Sequence, residues 1–262
     1  MPPLLQHWLE QLLPLAAGFP RALTLMLTLP LFPKQGFALL VRNAVALSLL
    51  LGAYPMLVVQ SPPADWVAVQ WIGFAVKEAF IGFVIGYAMG SMFWVFQSVG
   101  DLIDNQIGLN NASIFDPFGG HSGGPYSGFL MQFSVVVFIA VGGLQLLSGL
   151  LYESYTLWPM RSFVPKLTAG YAELAREGFQ YKGAWTLTLV APLVIVLVLA
   201  ELAVGLINRV TPQLNSFYFS MPIKGVLAIL MLAAMTSQWV DALRGATAAL
   251  RGLLAPWDAV WR

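Results

Sequence analysis

Two carboxylates, Asp101 and Asp104, have the spacing that comes nearest to a chemical site. Their i, i+3 spacing places both on one face of a helix, where a carboxylate pair could exchange protons or hold a cation. The neighbouring sequence supplies no third ligand of a suitable type, so we favour helix capping or exposure on a solvated face. The two histidines, His7 and His121, lie far apart and form no helical metal pair. These residues therefore predict neither acid–base nor metal catalysis.

A glycine-rich segment follows the two carboxylates. It contains no lysine and no G-x-x-x-x-G-K-[ST] or G-x-G-x-x-G motif, which excludes a phosphate loop. Aromatic side chains stand among the glycines, a composition that suits a movable apolar plug better than a nucleotide cradle. The candidate plug residues are Phe115, Asp116, Pro117, Phe118, Gly119, Gly120, Gly123 and Gly124.

The elements that must position these residues are hydrophobic. Of the 262 residues, 58% are hydrophobic and 10% are charged, whereas an ordinary soluble protein has about 25% charged residues. Six segments approach the roughly 20 apolar residues that cross a bilayer core; they lie near 12–32, 37–59, 66–98, 126–152, 184–207 and 221–240. The sequence therefore predicts an all-α, multi-helix integral membrane protein. Because no internal repeat stands out, we expect one domain over residues 1–262.

Charge and cysteine content exclude several functional classes. The formal net charge is +1 and the basic residues are scattered, so there is no electrostatic case for nucleic-acid binding. The absence of cysteine excludes disulfides, thiolate metal sites and a cysteine nucleophile.

Several charges lie inside the hydrophobic segments. Arg21 is in the first segment, Lys77 and Glu78 are in the third, and Glu201 is in the fifth. Adjacent side chains on a helix point about 100° apart, so we expect that Lys77 and Glu78 do not neutralise each other. Charges at such depth normally face a bundle interior, a cavity or a partner; the alternative is that the side chain snorkels toward a helix end.

Glycines form a stripe in the third segment. Gly82, Gly86 and Gly90 recur at every fourth position, which predicts a surface where another helix backbone approaches closely. The alternative is that they reflect the high glycine content of membrane helices. Neither interpretation indicates catalysis.

A polar, proline-containing stretch separates the last two hydrophobic segments. Pro212 and Pro222 each lack an amide donor, so we expect the helix to break between them. A break at membrane depth is tolerated where protein or water satisfies the freed groups. The amide side chains nearby suit that role, although an extramembrane hairpin loop is the alternative.

Three stretches resemble motifs of one family. "GLINRVTPQLNSFYFSMPIKG" is similar to the N-R-x-x-P-Q-x-N-x-F-x-x-x-x-P-x-K signature of the SctT/FliR family, the T-type export-apparatus proteins of type III secretion systems and their flagellar counterparts. "GDLIDNQIG" resembles the family's G-E-x-I-D-x-Q-x-G, with Asp101 in place of Glu, and an Asp-Pro pair follows as it does in the family. "PLFPKQGFALLVRNAVALSLLLGAYP" resembles an early P-to-R-x-x-x-A segment. Length and motif order agree along essentially the whole chain.

The resemblance implies roles for the motif residues. Those expected to make packing and intersubunit contacts are Asp101, Asp104, Gln106, Gly108, Asn208, Arg209, Pro212, Gln213, Asn215, Pro222 and Lys224. In relatives, the loop framed by the earlier of these residues projects into the pore as a plug.

The resemblance also implies a non-enzymatic core subunit of the type III secretion export apparatus, without a cofactor, in the bacterial inner membrane. With R-type and S-type subunits and the U-type switch protein it would form an export gate for unfolded protein substrates, its segments arranged as helical hairpins within a helical complex. A small secondary transporter is the alternative, with a polar midplane site formed by Lys77, Glu78, Glu201 and the broken 208–224 segment, but the halves show no internal symmetry. A membrane-embedded enzyme would need convergent catalytic groups, which the sequence lacks.

Overall fold

The computed structural model describes the backbone of residues 3–31, 38–63, 66–109, 124–163, 170–211 and 216–252. Within these ranges every regular element is an α-helix, which confirms the all-α prediction. The helices are α1 (Pro3–Thr28), α2 (Leu39–Gln60), α3 (Ala68–Ile107), α4 (Pro125–Ala140), α5 (Gly143–Leu157), α6 (Gly170–Val210), α7 (Ser216–Ala234) and α8 (Thr236–Gly252).

Several of these helices are long and apolar enough to cross a membrane. Among the described residues these are α2, α3 and the Thr188–Val210 part of α6. The pairs α4–α5 and α7–α8 pass the same test together but are bent by 76° and 57°, so the number is five if each bent pair is one span. These five match five of the six predicted segments. The remaining segment, 12–32, falls largely in α1, which contains two prolines and Arg21.

Two glycines adopt a left-handed backbone conformation, one at a helix end and one at a bend. Gly108 ends α3 with φ 90°, and its amide and that of Leu109 donate back to the Asp104 carbonyl at 3.1 and 3.0 Å. Gly142 has φ 81° at the bend between α4 and α5. Both conformations are in the left-handed region that glycine adopts at little cost.

Two connections between predicted segments differ from the structure in part. The interval between the predicted segments 126–152 and 184–207 contains more helix than those bounds imply, because α5 continues to Leu157 and α6 begins at Gly170. The expected break between the last two predicted segments is present, since α6 ends at Val210 and α7 begins at Ser216, but Pro222 lies inside α7 and does not end it. A single proline removes only one amide donor, and the surrounding turns of α7 continue on either side.

The contacts divide the described chain into two compact units. Unit 1 lies within Met1–Ser91, Gly142–Tyr171 and Leu250–Arg262, and unit 2 lies within Met92–Val141 and Ala172–Ala249. The core of unit 1 includes Leu25 and Met26 of α1 and Leu50 of α2, all fully buried. In unit 2, the rings of Phe93 and Phe138 meet edge to face at 5.2 Å. The single domain over the whole chain stays a prediction.

Candidate functional site

A buried ion pair joins α1 to α3 in unit 1. Arg21 donates from Nε to Glu78 Oε2 at 2.7 Å and from Nη2 to Glu78 Oε1 at 3.0 Å. Both side chains are 0% exposed. The two parallel hydrogen bonds are the bidentate geometry in which guanidinium and carboxylate interact most strongly.

Lys77 adds a third charge to this cluster. Its Nζ lies 2.9 Å from Glu78 Oε1 and donates to the carbonyls of Pro159, Met160 and Ser162 at 3.3, 2.8 and 3.2 Å. The expectation that Lys77 and Glu78 do not neutralise each other was therefore wrong, because the flexible lysine stem lets the ammonium turn toward the neighbouring carboxylate. The ammonium is held by protein groups and does not snorkel.

The residues that complete this cluster were not predicted. Arg21 Nη1 donates to Ser154 Oγ and Nη2 to the Trp158 carbonyl, both at 3.0 Å. The guanidinium carbon also lies 4.1 Å from the centre of the Tyr155 ring, whose hydroxyl donates to the Gly18 carbonyl at 3.1 Å. The sequence did contain one signal for the ion pair, because Arg21 and Glu78 carry opposite charges in two separate apolar segments. We call Arg21, Lys77, Glu78 and Ser154 the Arg21 cluster.

Glycines bring α1 and α3 close together beside the Arg21 cluster. A Cβ added at Gly82 would collide with the Arg21 carbonyl and the Thr24 hydroxyl. One added at Gly86 would lie 2.9 Å from Thr28 Cβ and 3.0 Å from the Leu25 carbonyl. Gly90, one turn further along α3, is buried. The helix backbones therefore approach at a distance that admits no larger side chain at Gly82.

In unit 2, Asp104 connects α3 to the start of α4. Its carboxylate accepts hydrogen bonds from the amides of Ser127 at 2.9 Å and Tyr126 at 3.2 Å. Asp104 is 0% exposed, so a solvated-face role is wrong for this residue, whereas Asp101 is half-buried. Asp104 caps a helix as we favoured, but the helix is α4 and not its own. A Cβ at Gly124 would collide with this carboxylate.

Lys224 lies on α7 and connects that helix to the end of α3 and to α6. The Lys224 Nζ donates to the Gln106 carbonyl at 2.8 Å and lies 3.1 Å from Glu201 Oε2. The hydroxyl of Tyr126 donates to the Gly225 carbonyl at 3.0 Å, so the start of α4 is also attached to α7. We call these contacts, with the Asp104 cap, the α3–α4 clamp.

The remaining predicted site residues divide into two groups. Asn208 and Arg209 are in the last turn of α6, and Arg209 is exposed. Residues outside the described ranges include seven plug candidates, Phe115, Asp116, Pro117, Phe118, Gly119, Gly120 and Gly123, and three motif residues, Pro212, Gln213 and Asn215.

An apolar cavity lies beside the start of α4 in unit 2. Its volume is about 370 Å³, and its lining includes Phe129, Phe133, Ile229 and Trp239. Across the described part of the chain, no three His, Cys, Asp or Glu side chains come close enough together to hold a metal ion. The polar clusters described above consist of hydrogen bonds and ion pairs within the chain.

Comparison with known proteins identifies the class of this all-α membrane protein. The sequence matches the family described as bacterial export proteins, family 1, over residues 12–250. The chain therefore belongs to this family, which confirms the resemblance to SctT and FliR proteins.

Individual relatives agree with the family match. The Yop proteins translocation protein T of Yersinia pestis is 32% identical over 223 residues, which cover 85% of each chain. The surface presentation of antigens protein SpaR of Salmonella typhimurium is 31% identical over 83% of this chain and 80% of its own. The flagellar biosynthetic protein FliR of Pectobacterium carotovorum is 30% identical over 83% of this chain and 82% of its own.

Proposed function

We propose that this chain is a non-enzymatic core subunit of a type III secretion export apparatus in the bacterial inner membrane. The observation that carries the proposal is the family match over residues 12–250, together with relatives named for protein translocation and flagellar biosynthesis. The chain would form part of the export gate through which unfolded substrates cross the membrane. Its direct partners would be the R-type and S-type subunits, with the U-type switch protein nearby.

The buried charges favour a structural role in unit 1. Both carboxylate oxygens of Glu78 accept hydrogen bonds from Arg21. The Lys77 ammonium pairs with Glu78 and donates to three backbone carbonyls. A secondary transporter needs polar groups that are free to bind a substrate or a proton in a midplane cavity. The polar groups of the Arg21 cluster instead bond to one another and to nearby carbonyls, and so hold α1, α3 and the end of α5 together. Because these groups are not free to bind a substrate, the cluster argues against the transporter alternative.

We further propose that the segment from about 109 to 125 helps to seal the closed gate. The α3–α4 clamp supports this proposal, because it fixes the two helix ends between which the segment runs. Asp104 holds the start of α4, and Lys224 holds the carbonyl end of α3. Movement of the segment would then leave the surrounding helices in place.

The test of this function is the mass of the chain purified in mild detergent, after expression alone and together with candidate R-type and S-type subunits. We expect a large stable complex that contains one copy of this chain only in the co-expressed sample. A monodisperse monomer or homodimer that is identical in both samples would overturn the proposal and make substrate uptake the next measurement.

A further inference from the structure

A buried cation lies in the first turn of α2 without a counter-charge. Arg42 is 7% exposed, and its Nε is buried with no hydrogen-bond acceptor. In the described part of the chain, no hydrogen bond or ion pair joins its guanidinium to another residue. Arginine keeps its charge in proteins, and a buried charge is normally paired. Arg21 follows that rule, since its buried guanidinium meets a carboxylate, a hydroxyl and a carbonyl.

The next residue along α2 is also unsatisfied. Asn43 Oδ1 is buried and accepts no hydrogen bond from the described residues. We call Arg42 and Asn43 the α2 pair; it offers a cationic donor and a neutral acceptor. Adjacent side chains on a helix point about 100° apart. A single ligand that satisfies both must therefore carry its anionic group and its hydrogen-bond donor at separate positions.

The sequence around the α2 pair supplies no anion. The first turn of α2 contains no acidic residue, and no side chain caps the helix, so the positive end of the helix dipole adds to the charge of Arg42. The connecting sequence 32–37 contains no Asp or Glu, and its one charged residue is Lys34. The counter-charge is therefore expected from outside the chain.

The position of Arg42 favours a lipid headgroup as the source of that charge. The Leu39–Gln60 span has 22 residues and is about 33 Å long, close to the thickness of the bilayer core. Arg42 is its fourth residue, so the long arginine stem reaches the level of the lipid phosphates. Leu50 and Leu57, in the same buried stripe of α2, lie beside Gly18 of α1. Arg42 thus lies at one end of the α1–α2 contact, and basic pockets between membrane helices bind lipid headgroups.

We propose that the α2 pair is a binding site for a phospholipid whose headgroup carries a hydrogen-bond donor. The guanidinium of Arg42 binds the phosphate, because two acceptor oxygens match its planar fork. Asn43 Oδ1 accepts from the headgroup, for example from the ammonium of phosphatidylethanolamine. A protein carboxylate would satisfy Arg42 alone, since it carries acceptors and no donor. The inference needs a membrane location and does not depend on the proposed export function.

The test compares the full chain with Arg42→Leu, first in delipidated, phosphate-free detergent and then with added phosphatidylethanolamine. Without lipid, we expect a higher thermal unfolding midpoint for Arg42→Leu, because the substitution removes a buried charge that has no partner. With lipid, the wild-type midpoint should rise and that of Arg42→Leu should stay in place. Native mass spectrometry should show about tenfold weaker retention of the lipid by Arg42→Leu. Arg244→Leu is the control, because it removes an exposed arginine and should retain the lipid as the wild type does.

Three results would overturn the proposal. A lower midpoint for Arg42→Leu in delipidated detergent would mean that Arg42 already has a stabilising partner within the chain. An equal effect of phosphatidylethanolamine on the wild type and Arg42→Leu would place the lipid elsewhere. Inorganic phosphate, added at the same concentration, should leave the wild-type midpoint unchanged; a rise as large as the one with lipid would show a site for a free anion.

A second variant tests the donor half of the headgroup. Phosphatidylcholine has the same phosphate as phosphatidylethanolamine and the same net charge, but its trimethylated nitrogen has no hydrogen to donate. The wild type should retain phosphatidylethanolamine about fivefold better, as one hydrogen bond predicts, and Asn43→Leu should retain the two lipids equally. Equal retention by the wild type would exclude Asn43 from the site.

Discussion

Arg21 and Glu78 form a bidentate ion pair between α1 and α3, with both side chains fully buried. The residues are 57 positions apart, so the pair fixes a tertiary contact and not a local one. Lys77 lies on the same carboxylate and gives the cluster two cations and one anion. Glu78 is therefore the residue whose loss leaves the most uncompensated charge.

Replacing Glu78 with Ala is expected to destabilise the protein strongly. The substitution leaves Arg21 buried without its carboxylate, and breaking a buried pair in this way costs about 3–5 kcal/mol. The measurement is the denaturant or thermal unfolding midpoint in a fixed detergent. Asp241→Ala is the control, because the ion pair of Asp241 with Arg244 is exposed on both sides and should change the midpoint little. Equal midpoints for the two variants would contradict the structural role of the cluster.

Adding a methyl group at Gly82 is expected to separate α1 from α3. Gly82→Ala forces a collision with the Arg21 carbonyl, and overpacking of this type costs about 1–3 kcal/mol. Gly149→Ala is the matched control, because its Cβ would meet nothing within 4 Å and alanine favours a helix over glycine by about 0.5–1 kcal/mol. The unfolding midpoints should therefore move in opposite directions, and a shared direction would show that backbone propensity outweighs packing at Gly82.

Local sequence patterns predicted the helices and many of the polar positions, but not the partners of those positions. Apolar run length identified five of the segments that are compatible with a membrane span, because that signal is contained within each segment. The Arg21–Glu78 pair was missed because spacing along one helix carries no information about a second helix. Lys77 was misjudged because the Cβ directions along a helix do not take account of the length and flexibility of the lysine stem.

Tertiary context also decided the roles of Asp104 and Pro222. The i, i+3 spacing with Asp101 suggested a shared face, yet the Asp104 carboxylate is used by amides of α4 that lie beyond the glycine-rich segment. Pro222 carried a local signal for a helix break, but α7 continues through it. Carbonyl partners such as those of Pro159 and Met160 leave no mark in the sequence, since every residue has a carbonyl group.

Replacing Asp104 with Ala is expected to loosen the start of α4. The amides of Tyr126 and Ser127 lose their acceptor, and loss of an N-terminal cap costs about 0.5–2 kcal/mol. Hydrogen exchange of peptides that cover residues 124–130 should become faster. Asp104→Asn retains one carbonyl oxygen and should give an intermediate rate, while Asp101→Ala should leave these peptides unchanged. Unaltered exchange in Asp104→Ala would mean that the cap contributes nothing to the order of α4.

Deleting residues 118–123 is expected to open the closed gate to small ions without preventing assembly. The deletion removes glycine-rich sequence and Phe118 but retains Gly124 and the Asp104 cap, so the attachment of α3 and α4 to α7 remains. The measurement is the conductance of the purified complex in a planar bilayer without substrate.

The paired point variants Phe115→Ser and Gly120→Ser separate apolar sealing from loop composition, because only the first removes an aromatic side chain. Leak in the deletion and in Phe115→Ser, with a tight Gly120→Ser complex, is the expected pattern. Conductance equal to wild type in the deletion would exclude the segment as a seal while leaving the proposed export subunit intact.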